Sequence, residues 1–153
     1  MTPFIKKKEI KNDWYLISAE NAIVGRLAAY ICNILRGKNK ATFNPHLDNG
    51  DFVVVTNIEK MKFSGNKLEE KIYYRHTGHP GGLKEMTPKR LQDKNKTQEI
   101  LRLAVKRMLP GGVLAKKQMT KLKIYTGEDH PHGVQDPKVI DFGKENKSNL
   151  FKI

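Results

Sequence analysis

A single cysteine, Cys32, stands among 153 residues. No disulfide can close within the chain, and no cysteine-rich metal site can form. Long apolar runs are missing as well. None approaches the roughly 20 residues of a membrane span, and the lysine-rich residues 1–8 hold no apolar stretch, so no export leader is expected. The sequons Asn95-Lys96-Thr97 and Asn146-Lys147-Ser148 then read as chance matches. Catalytic signatures are equally scarce. Val24-Gly25-Arg26-Leu27 has one glycine and no phosphate cradle, Ser64-Gly65-Asn66-Lys67 lacks the spacing of a P-loop, and no Gly-x-Ser-x-Gly elbow occurs. Acidic residues are the last shortage. Asp+Glu is 16 against 29 for Lys+Arg, a net charge of +13. Such an excess repels itself in a compact body unless an anionic partner neutralises it: nucleic acid, a membrane surface or an acidic protein. The carboxylates Asp51, Glu69 and Glu70 lie among lysines and read as solvated surface pairs, not as a catalytic acid and base.

The length suits one domain. Residues 1–12 are polar and lysine-rich and read as a basic N-terminal arm; residues 13–142 form the body; residues 143–153 are a polar C-terminal tail. Residues 14–17 make a short β-type run. From 22 to 36 the spacing is helical, with Leu27, Ala28, Ile31, Ile34 and Leu35 on one face, Arg36 in the last turn and Gly37 placed to stop it. Cys32 lies beside this stripe as a small core residue. Phe52 to Thr56 is apolar without alternation, as expected of a strand covered on both faces. Strand, helix and buried strand together suggest a βαβ unit in an α/β fold.

Residues 71–76 read as β-type, and Pro80-Gly81-Gly82 marks a turn. Thr87-Pro88 opens a short helix with threonine as N-cap. A second long helix is expected over 98–109, with Asn95 as cap and Gln98 completing a loose capping box. Pro110-Gly111-Gly112 ends it, a basic loop follows, and residues 122–125 form another strand.

Two basic stretches carry the chemistry. In the segment from Lys71 to Lys84, cations can neutralise phosphates, tyrosines can stack on bases, and glycines let a ribose-phosphate chain come close. The alternative is a surface hairpin with ordinary solvated charges. The second stretch runs from Lys106-Arg107 past Pro110 to Lys116, Lys117 and Lys121, a cationic helix end suited to phosphate or simply to its own macrodipole. His130-Pro131-His132 falls short of the four ligands a zinc site wants. It reads better as a turn whose imidazoles meet nucleic acid or cap backbone groups.

A series of motifs then stands in a telling order. It runs Gly25-Arg26-Leu27-Ala28, Leu35-Arg36-Gly37-Lys38, and Pro45-His46 before Gly50-Asp51. Tyr73-Tyr74-Arg75-His76-Thr77-Gly78 and Pro80-Gly81-Gly82 follow, then Met108-Leu109-Pro110, and last His130-Pro131-His132 with Gln135. In this the chain resembles the bacterial-type family of ribosomal large-subunit protein thirteen, over about residues 14–137. His79 replaces the family's usual tyrosine, Ala115-Lys116 a common Gly-Arg, and Val134 a usual alanine.

The resemblance implies a three-layer α/β/α domain around a mainly parallel four-stranded sheet. It also implies a structural constituent of the large ribosomal subunit that binds large-subunit ribosomal RNA and supports early assembly and translation. Neighbouring large-subunit proteins are further expected partners. No enzyme activity, cofactor, metal, membrane or small-molecule substrate is implied, and the expected location is a bacterial-type cytoplasmic ribosome. The residues expected at the RNA are Arg26, Lys38, Lys40, His46, Lys71, Tyr73, Tyr74, Arg75, His76, Thr77, Gly81, Gly82, Lys84, Arg107, Lys116, Lys117, His130 and His132. The tails are expected to order only on RNA.

Overall fold

Two runs of aromatic and β-branched residues lie side by side in a computed structural model that describes residues 6 and 9–146. β1 (Trp14–Ser18) pairs in parallel with β2 (Phe52–Thr56), Trp14 opposite Phe52. Between them runs α1 (Val24–Arg36), whose predicted stripe of Leu27, Ala28, Ile31, Ile34 and Leu35 is buried. The helix begins at Val24, two residues later than the spacing predicts. Ala22 and Val24 give their backbone groups to Lys62 instead, at 2.9 and 3.1 Å. It ends as expected at Gly37, in the left-handed region at φ 75°, with the Gly37 and Lys38 N–H groups closing onto Ile34 and Asn33.

Residues 37–50 then turn back onto the end of α1. The contact is backbone on backbone: a Cβ on Gly50 would lie 1.7 Å from the Leu35 carbonyl oxygen. The Asp51 N–H reaches the Ile34 carbonyl at 3.2 Å, which sets where β2 starts.

A 3-10 turn (Ile58–Lys60) and α2 (Lys67–Glu70) lead to β3 (Tyr73–His76) and β4 (Leu83–Met86), an antiparallel hairpin separate from the main sheet. α3 (Pro88–Asp93) is capped by Thr87, whose hydroxyl accepts from the Arg90 N–H, with Pro88 at the first position as predicted. α4 (Thr97–Met108) follows, but Asn95 does not cap it. Asn95 sits left-handed at φ 54°, and its N–H bonds Gln92 while the Lys96 N–H bonds Leu91, so Asn95 closes α3.

The expected basic loop past Gly112 is in fact a helix, α5 (Gly112–Thr120). Its apolar residues do not keep to one stripe. Val113 is exposed while Ala115 and Gln118 are buried, so no periodic signal betrays it. β5 (Leu122–Ile124) pairs with β2, and β6 (Lys138–Ile140) with the far side of β1. The strand order of the main sheet is β5-β2-β1-β6 with every pairing in it parallel, the α/β fold on a mainly parallel four-stranded sheet that the resemblance implies. α6 (Phe142–Glu145) is capped by Asp141 and buries Phe142, so ordered structure runs past residue 142, where composition placed the end of the body. Most of the N-terminal arm and residues 147–153 lie outside the described residues.

On one face of the sheet, Ile17, Val53 and Val55 pack with Leu27, Ile31, Leu35, Ile100, Leu101 and Val105 of α1 and α4. Side chains of this size each contribute about 1.5–3 kcal/mol when fully buried. The other face carries Val54 and the stacked rings of Trp14 and Phe52, centroids 4.3 Å apart. A right-handed return from β5 to the opposite edge passes over that second face, and the His132 ring, 5.1 Å from Trp14, places it there. No helix of the described residues is long and apolar enough to cross a membrane.

Cys32 belongs to the core, its thiol 3.6 Å from the Val105 carbonyl. Burial pushes this thiol up to about 11, against a small opposing pull from Arg36. At pH 8 the reactive thiolate is therefore nearly absent from the native protein. Iodoacetamide is expected to label Cys32 only as fast as the protein opens, and at once in denaturant. Rapid native-state labelling would show that the helix packing is looser than this.

Candidate nucleic-acid interface

The hairpin sorts its side chains by the pleat. β3 and β4 pair Tyr73 with Met86, Tyr74 with Glu85, Arg75 with Lys84, and His76 with Leu83. Side chains alternate across a strand, so Tyr73, Arg75, Lys84 and Met86 share one face. Tyr74, His76, Leu83 and Glu85 share the other.

Tyr73 roots the first face in the body. Its ring is buried, with the Lys71 ammonium 5.3 Å and the Arg107 guanidinium 5.6 Å from its centroid. Burial raises the Tyr73 hydroxyl above its ordinary range, Arg107 opposes this, and the ring stays neutral at physiological pH. Arg75 and Lys84 stand opposite one another and exposed. Like charges so placed destabilise a hairpin. Among the described residues, none of Lys71, Arg75, Lys84 and Arg107 is in a salt bridge. Lys71 and Arg107 at the Tyr73 ring and Arg75 and Lys84 on the same hairpin face are thus four cations without a salt bridge among the described residues, a charge pattern matched to a phosphate backbone.

The turn between the strands is built tightly. The Thr77 N–H reaches the Gly82 carbonyl at 3.0 Å, and the Gly82 N–H the His79 carbonyl at 2.9 Å. A Cβ on Gly82 would come within 2.0 Å of the Thr77 hydroxyl, and Gly81 has φ 69°. His76 Nδ1 accepts from the Gly78 N–H at 3.0 Å, which leaves Nε2 as the donor of the neutral ring.

A second group of cations lies between α4 and α5. Arg102, Lys106 and Lys116 line a cleft of about 320 Å³ together with Gly111 and Gly112. Sequence reasoning did not single out Arg102. The available signal was its position four residues before Lys106, on the same face of a helix. Lys117 and the exposed His46 meet across another cleft, of about 520 Å³, beside Phe52. Arg26 and Lys38 are exposed on α1 and just past its end, and no hydrogen bond or ion pair joins them to the hairpin among the described residues.

Several expected contacts turn out to hold the fold. Tyr73 is core and offers no open ring. The Lys40 ammonium bonds the Asp51 carboxylate and, at 2.8 Å, the Lys11 carbonyl. Asp51 also accepts from the Asp13 N–H at 2.8 Å and is buried, not the solvated acid its lysine neighbours suggest. Lys121, read as part of a basic loop, is buried on Asp48 and the Gly50 carbonyl. His132 Nε2 meets the Tyr125 hydroxyl at 2.8 Å, and His130 Nδ1 accepts the His132 N–H at 3.2 Å. The half-buried His130 ring therefore caps the backbone of the turn, and the His132 ring packs the turn onto Trp14. Among the described residues no group of three potential metal ligands comes together.

The chain's family model match settles what the resemblance suggested: the model described as Ribosomal protein L13 covers residues 12–131. The chain belongs to the ribosomal protein L13 family. Curated relatives agree along nearly the whole length. The large ribosomal subunit protein uL13 of Thermosipho africanus is 51% identical over 141 residues, 92% of this chain and 94% of the relative. That of Geobacter sp. strain M21 is 53% identical, covering 92% of this chain and 98% of its own. That of Neorickettsia sennetsu is 46% identical, covering 97% of each. The family is structural rather than catalytic, which fits the lack of any acid–base or nucleophile constellation in the motifs above.

Proposed function

We propose that this chain is a structural constituent of the large subunit of a bacterial-type cytoplasmic ribosome, where it binds large-subunit ribosomal RNA and supports early assembly and translation. The observation that carries the reading is the cationic group at the hairpin: Arg75 and Lys84 on its face, with Lys71 and Arg107 at the buried Tyr73 ring, none in a salt bridge among the described residues. Fixed cations of this kind offset phosphate repulsion where RNA segments meet. With Tyr73 buried at its base, the hairpin presents its cations in one arrangement, suited to recognising the shape of folded RNA. The cations of the α4–α5 cleft, with Lys117 and His46, offer further phosphate contacts, and neighbouring large-subunit proteins complete the surroundings.

Cross-linking and sequencing of RNA bound in cells tests this directly. Reads should concentrate on a few sites of large-subunit ribosomal RNA; reads scattered over messengers would sink the proposal. In vitro, Arg75→Ala should lower the slope of log K against log salt by about 0.7–0.9, one released counterion, with the fold intact by circular dichroism. Unchanged affinity and slope would remove the hairpin from the interface.

A further inference from the structure

The second face of the hairpin has a different character. Tyr74 is 56% and Leu83 55% exposed, an aromatic and an apolar side chain left in water beside His76. The hairpin's only carboxylate, Glu85, is on this face, and its lysine and arginine are on the other. The hydrogen bond from Thr77 to Gly82 also sets the spacing. Antiparallel pairs alternate, so Arg75–Lys84 is a hydrogen-bonded pair, while Tyr74–Glu85 and His76–Leu83 are the non-bonded pairs. In such pairs the Cα atoms are about 4.5 Å apart and the side chains come closest.

We propose that this face recognises one unpaired guanine of the bound RNA, with Tyr74 as the stacking platform and Glu85 as the acceptor of its Watson–Crick edge. The inference rests on the ribosomal RNA reading and adds a base to it. An exposed tyrosine offers a flat ring to any base. A carboxylate repels phosphate but accepts two hydrogen bonds side by side. Guanine alone among the four bases presents two adjacent donors, N1–H and the N2 amino group, on that edge. Glu85 enters no salt bridge among the described residues, so it is available for them.

The two faces belong to one ribbon a single strand-layer thick. RNA held by its phosphates against Arg75 and Lys84 therefore lies close enough to place a splayed base on the other side. Charge sorting chooses the occupant: backbone on the cationic face, an uncharged ring on the face that carries the acid.

The test is chemical footprinting of full-length large-subunit ribosomal RNA with kethoxal, which modifies the N1 and N2 positions of unpaired guanine. It is run with wild-type protein, Tyr74→Ala, Tyr74→Phe and Glu85→Gln, alongside binding measured over a range of salt. One guanine should be shielded by the wild type and by Tyr74→Phe, and should react again with Tyr74→Ala and with Glu85→Gln. Tyr74→Ala should bind roughly 5- to 150-fold more weakly, the range of one lost base stack. Its salt slope should not change, because a neutral ring releases no counterions. If Tyr74→Ala binds as the wild type does and no guanine changes reactivity, the base site is overturned while the ribosomal RNA reading stands. If Tyr74→Ala weakens binding but no guanine is shielded by the wild type, the role given to Glu85 is overturned. A wild-type protein that fails to bind ribosomal RNA overturns both.

Discussion

Gly50→Ala should destabilise the protein by roughly 3–5 kcal/mol, at the upper end of what a single added methyl does. The new Cβ would stand 1.7 Å from the Leu35 carbonyl oxygen and 2.3 Å from its carbon. Those atoms are backbone in the last turn of α1, so no side-chain rotation can make room. Either the helix end or the loop over 37–50 must move. Movement would strain the Asp51 N–H to Ile34 hydrogen bond that places β2, and the Lys121 ammonium would lose its contact with the Gly50 carbonyl. For a chain of this length, each kcal/mol shifts the melting temperature by roughly 2–4 °C, so thermal unfolding should fall by about 10 °C. Gly25→Ala is the natural control. Its Cβ meets nothing within 4 Å, it lies in α1, and alanine there should be neutral or slightly stabilising. A Gly50→Ala protein that melts like the wild type would mean that the loop does not close on α1.

Asp48→Ala should cost about 3–5 kcal/mol, because it strands a buried ammonium. The Lys121 side chain is only 6% exposed, with its nitrogen 2.9 Å from Asp48, 2.8 Å from the Gly50 carbonyl and 5.7 Å from the Phe52 ring centroid. Once Asp48 is removed, one carbonyl and one aromatic face remain for a full charge. The double variant Asp48→Ala/Lys121→Met removes the charge as well as its partner and should recover most of the loss, since a thioether chain of similar length fills the same space. The coupling read from this double-mutant cycle should persist at high salt, where surface pairs fade. If the two variants are equally unstable, packing rather than charge pairing holds this corner. The same comparison bears on function. Lys121 contributes a cation to the formal net charge but not to the RNA-facing surface, so RNA binding by the double variant should keep the wild-type salt slope.

Much of the scaffold was legible beforehand because its signals are local. The stripe in α1, the αL glycine after it, the unbroken apolar run of β2 and the Thr87-Pro88 helix start depend on neighbours within one or two turns, and each forms where expected. β4 and β6 were not legible. Leu-Lys-Glu-Met and Lys-Val-Ile are too short and too mixed to show alternation, and only pairing with β3 and β1 makes them strands. α5 escaped because its buried positions, Ala115 and Gln118, include a polar residue and are flanked by exposed Val113. Asn95 misled because left-handed asparagine closes one helix as readily as a capping asparagine opens the next.

The candidate site divides in the same way. By itself the sequence determined that the protein is basic, that its one cysteine can build neither a disulfide within the chain nor a cysteine-rich metal site, that it builds on a βαβ unit, and which family it resembles; these follow from composition, local periodicity and motif order. Only the tertiary structure decided which basic residues face outward. Lys40 and Lys121 look in sequence like Lys71 and Lys84, yet the first two meet Asp51 and Asp48 while the other two enter no salt bridge among the described residues. The partner of Lys121 lies 73 residues away, and the Tyr73 ring of β3 meets Arg107 from α4. A lysine carries the same charge wherever it stands. Whether that charge is neutralised within the fold or left for a partner depends on long-range packing, which no local pattern records.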